Sequence, residues 1–547
     1  MFFISFANDY FVYKMYKDDG KSKRTHKILS AEEIANGKDS RWTELEISGT
    51  VRNLSPKIWC LHYITHLYLN ENILTKVPAE ITNLTSLVHL DLSKNMLRNL
   101  PPHMGDLVTL RELYLNNNYL RMIPFELGKL FQLQVFNLDG NPLAPDFESI
   151  YSEPQGPTKI LQHLLDKLNF PKLERPERKW ISVNSPDKLN KNAVIFTVMT
   201  YNVLSEKYGT RQAYGYCPSW ALNWDYRKRY ILNDILNQSA DIVCLQEVVM
   251  DEFHHFFLPE MKKDGYEGVF FPKSRAKTMS ESEAKTVDGC ATFYKTRRFT
   301  LVKEHPVEFN QLAMEKAKMN GASKSEEFLN RVMTRDNIGL VCLFEFKDAP
   351  VSNGYNEPPK LMVSNLHIHW DPEFCDVKLI QVLLFMNELK RIAENVPLVL
   401  CGDLNSLPQS GVIHFIEHGY VPFDHADFKD IDYKQYFKGL SSDSNKLPTE
   451  VTHKFGLSSA YDLSKIPYTN FTYDFKGVID YIFYSKSSMK PLGVLGPINL
   501  QWFKDSKIIG CPHPSVPSDH ISLTTELEMT FTPTNHTSEN SQTSSFH

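Results

Sequence analysis

The chain has eight cysteines in 547 residues, scattered, with no Cys-x-x-Cys pair among them. That disfavours both a zinc module and a disulfide framework, and it suits a reducing compartment. No apolar run approaches the roughly 20 residues of a membrane span. There is no basic excess either. The net charge is −5, so any grip on nucleic acid must be local. The opening stretch MFFISFANDYFVYKMYK is apolar, but it lacks a basic n-region and is broken by Asn8 and Asp9; it reads as something other than a signal peptide. Sequons such as Asn83-Leu-Thr then carry no information. What remains is ordinary globular material, 42% apolar and 23% charged, long enough for two or three domains.

Internal repeats come first. ITHLYLNENILTKVP, LVHLDLSKNMLRNLP, LRELYLNNNYLRMIP and LQVFNLDGNPLAPDF align, with Asn72, Asn95, Asn118 and Asn141 recurring every 23 residues. Leu67, Leu90, Leu113 and Phe136 keep the same step. This is the leucine-rich repeat signature. Each repeat is expected to give a short strand with its leucines inward, and an asparagine bonded to backbone inside the turn. WTELEISGTVRNLSPKIWCL reads as a degenerate first repeat or cap. One repeat cannot bury its own face, so four or five must stack. A solenoid without a partner is the bland reading; a concave binding surface is the usual one.

The pattern breaks after Tyr151. KILQHLLDKL reads as a short amphipathic helix and NFPKLERPERKWISVNSPD as a charged, proline-rich linker. From Ala193 strand-like runs alternate with helical stretches: AVIFTVMTYNVL, DIVCLQEV, CATFYKT, LVCLFEF, LMVSNLHIHW, LVLCGDLN, VIDYIFYS and ISLTTELEM. Two packed sheets with helices outside are expected. The predicted boundaries are 1–41 for an N-terminal extension, 42–150 for the repeats, 151–190 for helix and linker, 191–530 for the second domain and 531–547 for a disordered tail.

Several of these strands end in polar groups: Asn202, Glu247, His367, Asp403 with Asn405, Asp480, and Asp519 with His520. Each has a bland alternative, such as a surface strand end, a core histidine or a turn. In LVLCGDLNSLPQSG, strand alternation predicts that Asp403 and Asn405 point the same way. Carboxylates and amides at the ends of several apolar strands are costly unless something compensates them. A divalent cation in a strand-end cleft would do so. Oxygen donors without cysteine suit magnesium or manganese. Such a site implies phosphoryl ester cleavage by a bound water.

The ordered set N…QE…H…GDLN…D…SDH resembles the exonuclease–endonuclease–phosphatase superfamily. That implies an α/β fold, a four-layered α/β sandwich, behind the N-terminal repeat solenoid. Together with TYNVLSEKY, CLQEV, HWDPEFCDVKLIQ, DLNSLPQSG and YDFKGVIDYIFY, the repeats resemble the carbon catabolite repression deadenylases, the nuclease subunits of the CCR–NOT complex. The resemblance covers nearly everything from Ser30 to Thr530. It implies that Glu247 holds magnesium, with Asn202 and Asp519 completing or orienting that shell. Two ions are expected, with manganese able to substitute. Asp403 is implied to activate water, Asp480 to fix His520, and His520 and His367 to lie at the phosphate. Asn405, Phe475 and Pro372 resemble the residues that hold the terminal adenine; the bland reading of Phe475 is a core residue. The implied activity is 3′-to-5′ poly(A) exoribonuclease releasing 5′-AMP. The implied partners are poly(A) RNA, a DEDD-type deadenylase bound through the repeats, and the CCR–NOT scaffold indirectly, in cytoplasm and nucleus and without a membrane. The alternatives are a same-fold phosphodiesterase or phosphatase on another phosphate ester, and a repeat adaptor carrying a dead nuclease fold.

Overall fold

The computed structural model describes residues 43–170, 174–175, 177–187, 192–319, 329–349, 358–393, 395–429, 431, 433–434, 437 and 448–531, with the backbone of Val12–Tyr16. Apart from that strand, the expected N-terminal extension lies outside the described residues, as does the expected tail from 532 onward. The chain forms two compact units, one of residues 1–173 and 210–222, the other of residues 174–209 and 223–547.

In the first unit the repeated Leu-x-Leu pattern gives parallel strands Glu44–Ser48, His66–Tyr68, His89–Asp91, Glu112–Tyr114 and Val135–Asn137 in sequential order. Val12–Tyr16 pairs antiparallel with the first. Leu67, Leu90, Leu113 and Phe136 face the single core of the stack. The asparagines bond from coil to coil. Asn95 Oδ1 accepts from Leu74 N at 3.0 Å, while its Nδ2 donates to Leu69 O at 2.9 Å and Leu92 O at 3.1 Å. Asn118 repeats the arrangement one coil on. Helices Pro145–Tyr151 and Gly156–Lys167 close the open end, and Ile160, Leu161 and Leu164 join the repeat core. Gly128 permits the close approach: a Cβ there would lie 2.2 Å from Leu165 N.

Residues 210–222 depart from the boundaries read in the sequence. They belong to the repeat unit, so the span 191–530 expected for the second domain is not one uninterrupted block. Ser219 donates to Asp166 through its amide at 2.7 Å and its hydroxyl at 2.5 Å. Tyr216 packs edge-on to Phe131 with centroids 5.4 Å apart, and Trp220 edge-on to Phe170 at 6.4 Å. Aromatic partners on the closing helices and last repeat hold this excursion, and nothing in its own local pattern announces them.

The second unit is two facing sheets with helices outside. The seven-stranded sheet runs Tyr266–Pro272, Asp288–Lys295, Ile242–Val249, Ala193–Asn202, Leu523–Thr530, Met489–Leu495, Trp180–Ser182. The six-stranded sheet runs Phe299–Glu308, Ile338–Phe346, Lys360–His367, Leu398–Asp403, Asp480–Ser485, Leu457–Ser459. Strand alternation sorts the apolar residues into layers. Val399 and Cys401 point between the sheets with Val198, Cys244, Val363 and Ile482. Leu398 and Leu400 point outward to the helix Cys375–Ala393. Met199, Val243 and Leu245 meet the helix Trp224–Gln238 on the opposite outer face. The result is the four-layered sandwich expected from the sequence.

Candidate active site at the strand ends

The same alternation that buries Val399 and Cys401 between the sheets delivers Asp403 there. Asp403 ends its strand opposite His367 on one side and Asp480 on the other. Residues 361, 363, 365 and 367 share the inter-sheet face in the same way, as do 480 and 482. On the facing sheet Asn202 ends its strand opposite Gln246. Polar side chains from both sheets therefore meet at one edge.

Glu247 arrives there differently. Val243 and Leu245 face the outer helices, so strict alternation would send Glu247 outward too. Its strand instead carries a β-bulge. Val248 pairs with Gly289 but Leu245 pairs with Ala291, leaving one extra residue on the Glu247 side. Glu247 takes φ 61°, a left-handed conformation rare for a non-glycine residue. The bulge re-aims its carboxylate inward. Asn365, from the other sheet, clamps this irregularity. Its Nδ2 donates to Leu245 O at 3.0 Å and Ala291 O at 2.9 Å, and its Oδ1 accepts from Gln246 Nε2 at 2.8 Å.

Asn202 ties the two sheets together at the edge. Its Nδ2 donates to Glu247 Oε1 at 3.1 Å and to Asp403 Oδ2 at 3.0 Å. Ser205 N donates to Glu247 Oε2 at 2.9 Å. His367 Nε2 lies 3.9 Å from Glu247 and 3.7 Å from Asp403. His520 Nδ1 lies 2.8 Å from Asp480 Oδ2, and its Nε2 is 3.6 Å from Asp403 Oδ2. Asn470 Nδ2 donates to Asp519 at 3.1 Å. Direct contacts thus link Asn202, Glu247, His367, Asp403, Asp480 and His520, with Asp519 one residue from His520.

Asn405 departs from the sequence argument. The strand stops at Asp403, and Asn405 turns away at φ 43°. Alternation therefore does not carry it to the same face. Its N–H donates to Asp403 Oδ1 at 2.9 Å and its Nδ2 to Ile368 O at 3.1 Å, while Lys378 Nζ donates to its carbonyl at 2.7 Å. Phe475 is 38% exposed, which removes the core reading. It rests over Gly477 beside Leu407. Pro372 begins the short 3-10 turn Pro372–Phe374. Asn405 touches the linked polar set through its N–H to Asp403, whereas among the described residues no hydrogen bond joins Phe475 or Pro372 to it.

Burial governs the protonation of the cluster. It raises the Asp403 carboxyl, with Asp480 adding to the rise and His520 opposing it, to about 7. Burial also raises Glu247, against the pull of Lys273. His367 is driven down to about 3, chiefly by burial and then by Lys273, and is neutral. Burial would lower His520 as well, but Asp480, Asp519 and Asp403 outweigh it and hold the imidazole well above its ordinary value.

Sequence reasoning missed Lys273, Asp288 and Tyr208. Lys273 Nζ pairs with Asp288 at 2.6 Å, and Tyr208 OH donates to Asp288 at 3.1 Å. Lys273 follows the strand Tyr266–Pro272 directly, so a strand-end search that included cations would have found it.

The residues fit a divalent cation. Glu247, Asp403, Asp480 and Asp519 are four buried carboxylates facing one raised imidazole. Such an imbalance is costly without a counter-charge. Asp403, Asp480 and His520 bring one ligand atom each within 4.8 Å of one another, and the donors are mostly hard oxygens.

The chain belongs to the endonuclease/exonuclease/phosphatase family, whose model matches residues 199–520; a leucine-rich repeat model matches residues 62–120. Within that class it belongs with the CCR4-NOT complex subunit 6-like proteins. It is 54% identical to the CCR4-NOT transcription complex subunit 6-like of Danio rerio over 93% of this chain and 94% of that one. It is 39% identical to the CCR4-Not complex 3′-5′-exoribonuclease subunit Ccr4 of Mycosarcoma maydis, over 72% of this chain and 60% of that protein. Among solved structures it resembles ANGEL2, a 2′,3′-cyclic phosphatase crystallised with adenosine-2′,3′-vanadate, at 26% identity and TM-score 0.50 over 64% of this chain and 99% of that one.

Proposed function

We propose that the protein is a magnesium-dependent 3′-to-5′ poly(A) exoribonuclease that shortens mRNA tails and releases 5′-AMP as a subunit of the CCR–NOT complex. The observation that carries this reading is the Asn202 amide bridging Glu247 on one sheet and Asp403 on the other, 3.1 and 3.0 Å away. That bridge closes a single polar site. Water attacks the phosphorus of the last phosphodiester. Asp403, raised toward neutrality, takes the water's proton. The bond from phosphorus to the 3′ oxygen of the preceding nucleotide breaks, and that oxygen collects a proton as it leaves. His520, cationic and fixed by Asp480, stands where negative charge grows on the phosphoryl oxygens. His367, neutral, offers a hydrogen bond without a charge. Glu247, Asp519 and Asn202 would hold a magnesium ion, the Asp403 and Asp480 oxygens would serve a second, and manganese would substitute. Bound there, the metal supplies charge neutralisation at the phosphate and an acidified water. Asn405, Phe475 and Pro372 form the terminal adenine pocket.

The repeats bind a DEDD-type deadenylase, which joins the chain to the CCR–NOT scaffold in cytoplasm and nucleus. Among the described residues no helix is long and apolar enough to cross a membrane. The decisive assay follows 5′-labelled oligo(A) with and without chelator. Stepwise shortening that chelation stops is expected, and no shortening would overturn the reading. The likeness to ANGEL2 favours one alternative, a phosphatase acting on 2′,3′-cyclic RNA ends. Turnover of a cyclic-phosphate-ended oligonucleotide with an inert oligo(A) would select it.

A further inference from the structure

We propose that Trp370 and Arg335 form a subsite for the nucleotides upstream of the scissile bond, an inference that rests on the exoribonuclease reading above. Trp370 is the most exposed large apolar side chain among the described residues, at 70%. Its backbone is nonetheless held firmly. His367, three residues earlier, lies in the linked polar set. Ile368 accepts from Asn405 Nδ2 at 3.1 Å, and His369 N donates to Gln381 Oε1 at 2.9 Å. Asp371 caps the following turn by accepting from Glu373 N at 2.9 Å. An indole presented to water on a fixed segment contributes nothing to the core. It is pre-organised to stack a base.

The neighbouring side chains extend the platform. The His369 ring lies 6.3 Å from Trp370 and packs edge-on to Phe374 at 5.4 Å. Phe374 carries two guanidinium groups, Arg331 at 4.7 Å and Arg335 at 4.4 Å from its centroid. Arg331 is committed to Asp376 through two bonds of 2.8 Å. Arg335 donates to Arg331 O at 3.2 Å and has no carboxylate partner among the described residues. The nearby acids are occupied: Asp371 in its cap, Asp376 with Arg331, and Asp336 with Arg275. A cation over a ring, joined to an exposed indole through His369 and Phe374, has the composition of a single-strand binding surface, with a stacking face and a phosphate contact on one path of rings. The ring contacts run from Trp370 through His369 and Phe374 to Arg335, so the strand would leave the terminal pocket across Trp370 and follow these rings toward Arg335.

The test uses the full chain with oligo(A) of two and of ten residues. Trp370→Ala should raise KM for the ten-residue substrate roughly tenfold, the scale of one lost base stack. The advantage of ten residues over two should shrink accordingly, and Trp370→Phe should restore most of it. Arg335→Gln should reduce the salt dependence of that KM by about one phosphate contact. A second readout needs no turnover. With chelator present, titrated oligo(A) should quench intrinsic fluorescence in the unmodified protein and less in Trp370→Ala. An unchanged length preference and unchanged quenching would overturn the subsite. Equal losses on both lengths would move Trp370 into the terminal pocket and overturn the upstream placement. Failure of the unmodified protein to shorten either substrate would overturn the exoribonuclease reading instead.

Discussion

A glutamate at φ 61° is strained by about 1–3 kcal/mol, a cost met only where the surroundings over-determine the conformation. We therefore expect Glu247→Ala and Asp403→Ala each to abolish oligo(A) shortening while keeping the fold, because each removes one of several mutually repelling buried carboxylates. Glu247→Gly should be equally inactive yet about 1 kcal/mol more stable than Glu247→Ala, since glycine adopts positive φ without penalty. Matched melting temperatures for the two would contradict the strain. A histidine outside the site adds to the acid lability that His367 also contributes. Neutral His453 has both ring nitrogens engaged, Nε2 with Phe415 O at 2.8 Å and Nδ1 with Phe455 N at 3.3 Å. Burial lowers it to about 4, below its unfolded value near 6.5. Between those values the unfolded chain binds more protons, so stability is complete above about pH 6.5 and is lost as pH falls toward 4. The loss reaches about 3 kcal/mol. His453→Gln should flatten that part of the melting profile, and an unchanged slope from pH 7 to 5 would refute the assignment.

At the scale of elements, the clamp and the loops make separable predictions. Asn365 satisfies the carbonyls of Leu245 and Ala291 at the bulge, so Asn365→Leu should cost about 2–4 kcal/mol by stranding buried polar groups. It should also depress kcat more than KM, because Glu247 loses its fixed aim. Loss of stability at full kcat would leave the clamp purely structural. Phe475, at a loop tip, should behave oppositely: Phe475→Ala should cut oligo(A) turnover strongly and shift the melting temperature little, and a shift of many degrees would refute the adenine pocket. These elements also show what a sequence can and cannot reveal. The asparagine step of 23 residues is visible because each ladder bond joins neighbours in a strict period. The polar ends of apolar strands are visible because alternation is local. The bulge at Glu247 is not visible, because an extra residue shows only against the partner strand. Nor is the turn at Asn405, where a left-handed residue stops an alternation that the letters seem to continue. Lys273 and Asp288 meet across adjacent strands, a contact no local pattern encodes.

For the whole molecule, the excursion 210–222 changes what a truncation means. Removing residues 1–173 takes away Phe131, Asp166 and Phe170, the partners of Tyr216, Ser219 and Trp220. The remaining unit keeps every residue of the linked polar set, so oligo(A) shortening should persist while co-purification with the complex is lost. Residues 210–222 should then become the preferred site of limited proteolysis, protected in the full chain. Loss of shortening with an intact melting transition, or unchanged co-purification, would count against this division of labour.

That excursion also bears on the order of synthesis. The chain passes between its two units at 173, 209 and 222, so the first unit is complete only once Leu222 has left the ribosome. By then Ala193–Asn202 has already emerged. Its two sheet neighbours are Ile242–Val249 and Leu523–Thr530, and the second of these is the last strand among the described residues. At about 5–20 residues per second, this apolar strand waits roughly 15–60 s for its final partner. Through that interval one edge of Ala193–Asn202 stays unpaired while the first unit is already complete, and an unpaired strand edge is a template for pairing with other chains.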